Sequence, residues 1–197
     1  IKKSADPDAK FFIVSAHYDH LGRMGQETYF PGANDNASGV AEMLALAAAF
    51  DTIPFKHHLV FIAFAAEEAG LIGSKYYVSN PLFPLNQVDF LLNLDLSGTG
   101  EEGITVVNAT EFNEAYKLLL NTNEDVQAVP DIKKRGPAAN SDHYPFYEKG
   151  VPSFFIYTRG GIKAYHDIYD KAETLPLTKA EELLRLYIGF FEALDRL

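Results

Sequence analysis

The chain has 197 residues, of which 47% are hydrophobic, and this length and composition fit a single globular domain covering residues 1–197. Its net charge of −10 argues against a nucleic-acid-binding protein, because such proteins normally carry a basic face. The absence of cysteine excludes disulfide bonds and thiolate metal ligands, and no apolar run approaches the roughly 20 residues that a membrane-spanning helix needs.

Short, continuously apolar segments alternate with helical patterns along the chain. The apolar segments predict strands buried on both faces, at residues 11–16, 59–66, 88–96 and 152–158, with a weaker strand at 104–109. Helices are predicted at residues 38–50, 71–79, 111–120 and 142–148, and a last helix near the carboxyl end. This alternation predicts a three-layer α/β/α sandwich with a mixed, mostly parallel central sheet.

Two of the predicted helices have a recognisable buried face. The helix at 38–50 is expected to bury a stripe formed by Val40, Met43, Leu44 and Ala47. The last helix begins with a capping-box spacing between Thr178 and Glu181, and it then carries an apolar stripe of Leu183, Leu184, Tyr187, Phe190, Phe191 and Leu194. Residues 21–36 and 122–140 are predicted to be loops.

Side chains of types that bind metals occur at the ends of predicted strands and before the first helix. They comprise two imidazoles and three carboxylates, which are His17, Asp35, Glu68, Asp95 and His166. Ligands of open α/β sheets bind beyond the carboxyl ends of the strands, where most of these residues fall. This ligand set suits zinc and similar divalent ions, so the pattern predicts a two-metal hydrolase.

Each of these tracts also has a purely structural interpretation. Asp19 could accept a hydrogen bond from the His17 ring, or the pair could only satisfy a polar strand end. Asp35 could bridge two cations, although its surroundings also fit an Asx-rich turn before a helix. The presence of the other candidate ligands favours metal binding by Asp35 over the purely structural interpretation.

Glu67 and Glu68 follow an apolar strand, where a buried carboxylate is costly unless it is paired. Adjacent residues of an extended segment face opposite ways, so one glutamate can bind metal while the other acts as a general base. The spacing alone does not assign the two roles. An acidic helix N-terminus is the structural alternative.

The remaining histidines are not expected to bind metal. His20 and His143 could line the pocket, and His57 and His58, which precede a strand, are expected to be exposed to solvent.

With these residues assembled, the chain resembles the zinc-dependent exopeptidases of the bacterial leucyl aminopeptidase and glutamate carboxypeptidase group. The resemblance runs from residue 11 to the end of the chain. It rests on six tracts in the order and spacing of that family, which are HYDHLG, PGANDNASG, EEAGLIGS, NLDLSG, NSDHYPF and YHDIYD. The combination is far more specific than any single tract.

The resemblance implies a co-catalytic site with two zinc ions per chain. The implied ligands are His17 and Asp95 for one zinc, Glu68 and His166 for the other, and Asp35 as the bridge between them. Glu67 would be the catalytic general base, and Asp19, also a catalytic residue by resemblance, would orient His17. A non-proline cis peptide bond after Asp35 is implied as well.

The resemblance also implies an aminopeptidase that hydrolyses the amino-terminal peptide bond of short peptides, with residues 1–197 as its catalytic domain. A secreted, periplasmic or cell-envelope location is expected rather than a cytoplasmic one. Members of the family have a further strand before residue 11, so the amino end at Ile1 is expected to be truncated. The preferred substrate side chain and the oligomeric state do not follow from the sequence.

Three other functions remain open. A carboxypeptidase or dipeptidase acting on acidic peptides would use Arg159 or Arg135 to bind a carboxylate. An enzyme similar to glutaminyl cyclase would hold a single zinc, although the EEAGLIGS tract is peptidase-like. A receptor-type ectodomain that has lost its metals would lack ligands, whereas all five candidate ligands are present here.

Overall fold

A six-stranded mixed sheet forms the centre of the computed structural model, which describes residues 1–197. The strands, in chain order, are β1 (Phe11–His17), β2 (Gly22–Met24), β3 (Thr28–Phe30), β4 (His58–Phe64), β5 (Val88–Leu94), β6 (Gly103–Val107), β7 (Ile132–Lys134) and β8 (Ser153–Arg159). The order across the sheet is β4-β1-β5-β8-β6-β7, and β2 and β3 form a separate hairpin. Strands β4, β1, β5 and β8 are parallel, whereas β6 is antiparallel to β8 and parallel to β7.

Helices cover both faces of this sheet. They are α1 (Gly39–Phe50), α2 (Ile72–Ser79), α3 (Asn113–Val126), α4 (His143–Glu148) and α5 (Ala180–Asp195). Helices α1, α3 and α5 share the larger hydrophobic core on one face, and α2 and α4 cover a smaller core on the other. The predicted three-layer α/β/α sandwich with a mixed, mostly parallel sheet is therefore confirmed. No helix is both long and apolar enough to span a membrane.

Strand β1 illustrates why the predicted strands are apolar at every position. Phe12, Val14 and Ala16 are buried in the larger core, whereas Ile13 is buried in the smaller one. Successive side chains of a strand point to opposite faces, so a strand covered on both faces buries all of them. The continuous apolar run at residues 11–16 follows from the position of β1 between β4 and β5, with helices on both faces.

The two predicted loops contain more regular structure than expected. The helix predicted to end at residue 120 continues to Val126, and β7 follows it within the segment 122–140. The segment 21–36 includes the hairpin of β2 and β3. Both differences involve short or polar elements whose formation depends on contacts outside their own sequence.

The buried faces and caps of two helices also differ from the prediction. Helix α1 buries Met43 and Leu46 but leaves Leu44 60% exposed, because its packing against α5 and β1 sets the buried face. The predicted capping box is wrong, since the hydroxyl of Thr178 donates a hydrogen bond to Glu101 and α5 begins at Ala180 without a side-chain cap.

His57 is not exposed to solvent, contrary to the sequence prediction. Its Nδ1 is 2.7 Å from Asp195, its Nε2 is 3.0 Å from Asp89, and the neighbouring His58 is buried. Partial burial would raise the pKa of the Asp195 carboxyl, but hydrogen bonds from His57 and from the backbone of Lys56 lower it. This contact joins the end of α5 to the start of β4.

We expect Asp195→Asn to make the fold less sensitive to acid. Because the folded-state pKa of Asp195 is lowered, its carboxylate stabilises the fold above the unfolded-state value of 3.8. That contribution is lost as the pH falls below 3.8 through the folded-state pKa. Circular dichroism melts at about pH 6 and about pH 3 should show a smaller drop in Tm for the variant than for the wild type. Asp125→Asn, on the exposed surface of α3, is the matched control, and equal drops in all three proteins would contradict the assignment.

Candidate metal centre

The parallel strands bring the candidate site residues to one edge of the sheet. His17 is the last residue of β1, and Asp95 directly follows β5. Glu67 and Glu68 lie just beyond β4, and His166 lies in the loop after β8. Because these four strands run in the same direction, their carboxyl ends place residues that are distant in sequence next to one another.

Asp35 lies between two histidines in the turn before α1, and it is buried. Its Oδ1 is 3.3 Å from Nε2 of His17, and its Oδ2 is 3.2 Å from Nε2 of His166. The two oxygens of one carboxylate therefore face two different imidazoles. A ligand that bridges two cations needs this arrangement.

Each of these histidines has a second carboxylate neighbour. Nε2 of His17 is 3.5 Å from Oδ1 of Asp95, and Nε2 of His166 is 3.2 Å from Oε2 of Glu68. The side chains thus form two groups that share Asp35. The first group contains His17 and Asp95, and the second contains Glu68 and His166. All five residues selected from the sequence as ligands are brought together.

The spacing within the two groups fits bound metal ions. A tetrahedral ion with bonds of about 2.0–2.2 Å has ligand atoms roughly 3.3–3.6 Å apart. The separations between histidine nitrogens and carboxylate oxygens are 3.2–3.5 Å. Nε2 of His17 is also buried without a hydrogen-bond partner in the protein, which is costly unless a ligand satisfies it. The residues present therefore fit divalent cations such as zinc.

His20 was not expected to be a ligand, but its ring lies in the second group. Its Nδ1 is 2.9 Å from Oε1 of Glu68 and 3.9 Å from Oδ2 of Asp35. The side chain of His20 is 8% exposed, compared with 38% for that of His166. The second group thus contains two imidazoles that could bind a metal. The sequence alone does not show that His20 is one of them, because this depends on its contact with Glu68 in the folded chain.

Contacts that were not identified from the sequence hold Asp35 in place. The buried carboxylate of Asp170 accepts hydrogen bonds from the backbone N–H groups of Asn34, at 2.8 Å, and Asp35, at 3.0 Å. The side chain of Asn36 donates to the carbonyl of Leu94 at 2.9 Å, which ties the turn to the end of β5. The peptide bond between Asp35 and Asn36 is cis, as the resemblance implied. The only sequence signal for Asp170 is its place at the end of YHDIYD.

Asp19 makes contacts that differ from the role implied for it. Nδ1 of His17 is 3.1 Å from the backbone carbonyl oxygen of Asp19 but 3.7 Å from its carboxylate. That carboxylate instead accepts hydrogen bonds from the backbone N–H groups of Glu67, at 3.1 Å, and Glu68, at 3.2 Å. The main chain of Asp19 therefore orients the imidazole, and its side chain fixes the backbone of the two glutamates.

A buried chain of hydrogen bonds supports Asp95. Ser141 donates to Oδ2 of Asp95 at 2.8 Å, Asn93 donates to Ser141 at 2.7 Å, and Ser15 donates to Asn93 at 2.8 Å. All four residues are buried, so the network fixes the orientation of the carboxylate. The three supporting residues were not identified from the sequence.

Glu67 and Glu68 lie in different surroundings. Glu68 contacts His166, whereas Glu67 has no ion-pair partner and lines the same cavity. Burial raises the pKa of Glu67 to about 8, against the opposing effect of His17 and with the help of nearby carboxylates. Burial and the charge of Asp35 also raise the pKa of Glu68. The glutamate without an ion-pair partner therefore lies where burial favours its protonated form, in contrast to an exposed carboxylate.

The surroundings of His17 are strongly negative. Burial disfavours the protonated imidazole, but Asp35 and Asp95 outweigh this effect and raise the pKa of His17 to about 11. In the absence of cations, a bound proton offsets part of the negative charge of these carboxylates. Divalent ions would supply that positive charge in its place.

The site opens into a cavity of about 250 Å³. This volume is below the roughly 300–1,000 Å³ of pockets for drug-sized ligands, which suits a small substrate. The residues that line the cavity are Asp35, Glu67, Glu68, Asp95, Leu96, Arg135, Asn140, Phe155, Tyr157, Tyr165 and His166.

Comparison with known proteins identifies a family and several relatives. Residues 1–190 match peptidase family M28. Aminopeptidase YwaD of Bacillus subtilis (strain 168) is 34% identical over 157 residues, which cover 77% of this chain and 32% of that protein. Leupeptin-inactivating enzyme 1 of Streptomyces exfoliatus is 36% identical over 150 residues, which cover 75% of this chain and 32% of that protein.

The fold also matches solved structures. The structure of BSAP, a zinc aminopeptidase from Bacillus subtilis, superposes with a TM-score of 0.82 at 28% identity, covering 97% of this chain and 47% of that one. The chain spans about a third of the length of the two curated relatives named above.

Proposed function

Because the chain belongs to peptidase family M28, we propose that it is a zinc-dependent aminopeptidase that hydrolyses the amino-terminal peptide bond of short peptides. The observation that carries this proposal is the position of Asp35, whose two oxygens face His17 and His166 at 3.3 Å and 3.2 Å. Glu67 lines the same cavity without an ion-pair partner, so a base is available beside the ligands. The names of the relatives, an aminopeptidase and a zinc aminopeptidase among them, support the same activity.

The five grouped side chains would hold two zinc ions, one bound by His17 and Asp95, the other by Glu68 and His166, with Asp35 bridging them. His166 is preferred to His20 as the ligand because its Nε2 lies 3.2 Å from both Asp35 and Glu68. When bound, the two ions would polarise the scissile carbonyl and lower the pKa of the attacking water.

Glu67 would act as the general base of the reaction. It would take the proton of the attacking water and return it to the amine that leaves. Without bound cations, burial raises its pKa to about 8. The positive charge of bound zinc would lower that pKa, which leaves a carboxylate able to accept a proton near neutral pH. Asp19 would keep it in place, because the Asp19 carboxylate accepts the hydrogen bond of the Glu67 backbone at 3.1 Å.

The acidic wall of the cavity would bind the free amino group of the substrate. Four carboxylates line the cavity, from Asp35, Glu67, Glu68 and Asp95. Three of these carboxylates would also hold the zinc ions, so the free amino group would approach one zinc together with the carboxylate oxygens beside it, which accept hydrogen bonds from N–H groups. A blocked amino terminus would lack that interaction.

We expect the protein to hydrolyse leucine p-nitroanilide with a kcat/KM at least about a hundredfold higher than for an N-acetylated acidic dipeptide. The reason is that only the first substrate presents a free α-amino group to the acidic wall. The measurement uses protein with a determined metal content, before and after chelation. Chelated protein should be inactive, and two equivalents of zinc should restore turnover.

A carboxypeptidase or dipeptidase acting on acidic peptides is the second candidate, because Arg135 lines the cavity. Preference for the N-acetylated dipeptide would support it and contradict the aminopeptidase proposal. Full activity with one zinc per chain, together with cyclisation of an amino-terminal glutamine, would instead indicate an enzyme similar to glutaminyl cyclase. A zinc-loaded protein that is inert towards all of these compounds would favour a receptor-type domain.

A further inference from the structure

Arg135 is the only lysine or arginine among the residues that line the cavity. It directly follows β7, and its backbone N–H donates to the carbonyl of Val106 at 2.9 Å. This hydrogen bond continues the pairing of β7 with β6, so the sheet fixes the position from which the side chain extends. A single cationic group thus lies at the edge of a cavity that otherwise carries four carboxylates.

The guanidinium of Arg135 has no carboxylate within ion-pair distance. Arg159, by contrast, forms an ion pair with Asp131. The only side-chain partner of Arg135 is the hydroxyl of Tyr157, to which Nη1 donates at 3.3 Å. A guanidinium has five N–H donors in a planar fork, so most of them remain free for a ligand.

The surroundings of Arg135 suit an anionic group attached to a small substrate. Phe155 and Tyr157 of β8 line the same cavity, and Asn140 adds a polar group. A dipeptide carries a positive amino group at one end and a carboxylate at the other. The acidic wall and Arg135 complement these two ends.

We propose that Arg135 binds a carboxylate of the substrate on the carboxyl-terminal side of the scissile bond, so that the protein prefers dipeptides with a free carboxyl terminus. This inference rests on the proposed aminopeptidase function. Arg135 is then a specificity-determining residue, because it contacts the part of the substrate that leaves with the amine. Arg159, which was the other candidate from the sequence, is occupied by Asp131 and does not line the cavity.

The test compares kcat/KM for the dipeptide Leu-Gly, its carboxyl-terminal amide Leu-Gly-NH₂, and Leu-Asp-NH₂. We expect the kcat/KM of the wild-type protein to be about tenfold or more higher for Leu-Gly than for its amide. The reason is that hydrogen bonds between a guanidinium and a carboxylate are stronger than those between a guanidinium and a neutral amide. Arg135→Gln should bring this ratio close to one, Arg135→Lys should restore part of it, and Arg159→Gln should keep the wild-type ratio. Leu-Asp-NH₂ carries a side-chain carboxylate in place of the terminal one. If its kcat/KM matches that of Leu-Gly in the wild type and falls to that of Leu-Gly-NH₂ in Arg135→Gln, Arg135 binds an acidic side chain as well as a terminal carboxylate, which supports the proposal.

Several results would overturn this inference. Equal rates for Leu-Gly and its amide in the wild type would do so, as would a preference that survives in Arg135→Gln. Leucine p-nitroanilide has a free amino group but no carboxylate, so its hydrolysis distinguishes a failure of this inference from a failure of the proposed aminopeptidase function. If it is hydrolysed while the dipeptide preference is absent, only the role of Arg135 is wrong. If no substrate with a free amino group is hydrolysed, the aminopeptidase proposal is wrong and the role of Arg135 falls with it. Thermal melts and zinc content establish that each variant is folded and loaded.

Discussion

Glu67→Gln should reduce kcat by at least about a hundredfold while leaving the zinc content at the wild-type level. The substitution removes the group that would accept the proton of the attacking water, yet Glu67 has no ion-pair contact with the candidate ligand histidines. Its backbone N–H would still donate to Asp19, so the local structure should persist. Gln has nearly the same shape as Glu, and Glu67 forms no ion pair that the substitution would break, so Tm should not fall.

The neighbouring glutamate provides a matched comparison for this variant. Glu68→Gln should lose zinc as well as activity, because Glu68 contacts His166 at 3.2 Å within the second group. Glu148→Gln, at the exposed end of α4, controls for the loss of a surface charge. Metal analysis and steady-state kinetics on the three variants distinguish a general base, whose loss lowers only activity, from a metal ligand, whose loss lowers zinc content as well. Near-normal turnover in Glu67→Gln would rule out Glu67 as the base.

Asp35→Asn should lower the zinc content by at least one ion per chain and reduce activity at least about a thousandfold. An amide has one oxygen instead of two, so it can no longer offer an acceptor to both His17 and His166. The negative charge shared between the two groups disappears as well. The hydrogen bonds from the backbone of Asn34 and residue 35 to Asp170 do not involve the altered side chain, so the turn should keep its shape.

Thermal stability gives a second measurement of the same effect. A ligand that binds only the folded state raises Tm by an amount that increases with the logarithm of its affinity, so zinc should raise the Tm of Asp35→Asn less than that of the wild type. Asp125→Asn, exposed on α3, should respond to zinc as the wild type does. Two zinc ions and full activity in Asp35→Asn would contradict the bridging role of Asp35.

The strands and the acidic and imidazole residues beside them were predictable because their signals are local. A strand buried on both faces must be apolar throughout, and a carboxylate such as Asp95 that ends such a strand needs a partner. Helix α1 shows the limit of this approach. Its sequence is apolar on more than one side, so the choice between Leu44 and Leu46 as the buried residue depended on packing against α5.

The contacts of Asp19, Asp170 and Ser141 could not be predicted in this way. Asp19 was expected to hydrogen-bond His17 through its carboxylate, but that group lies closer to the backbone of the two glutamates. Asp170 accepts from a turn that lies 135 residues earlier in the chain. Such pairs leave no periodic pattern in the sequence, since each partner is an ordinary polar residue in its own segment.

The layered α/β/α architecture and the five candidate metal ligands follow from the sequence, because apolar periodicity and residue type are properties of short segments. Only the folded arrangement shows that Asp35 lies between His17 and His166, that His20 joins the second group, and that Arg135 rather than Arg159 lines the cavity. These outcomes depend on strand order and on side-chain directions. Both are set by contacts between segments that are far apart in the chain.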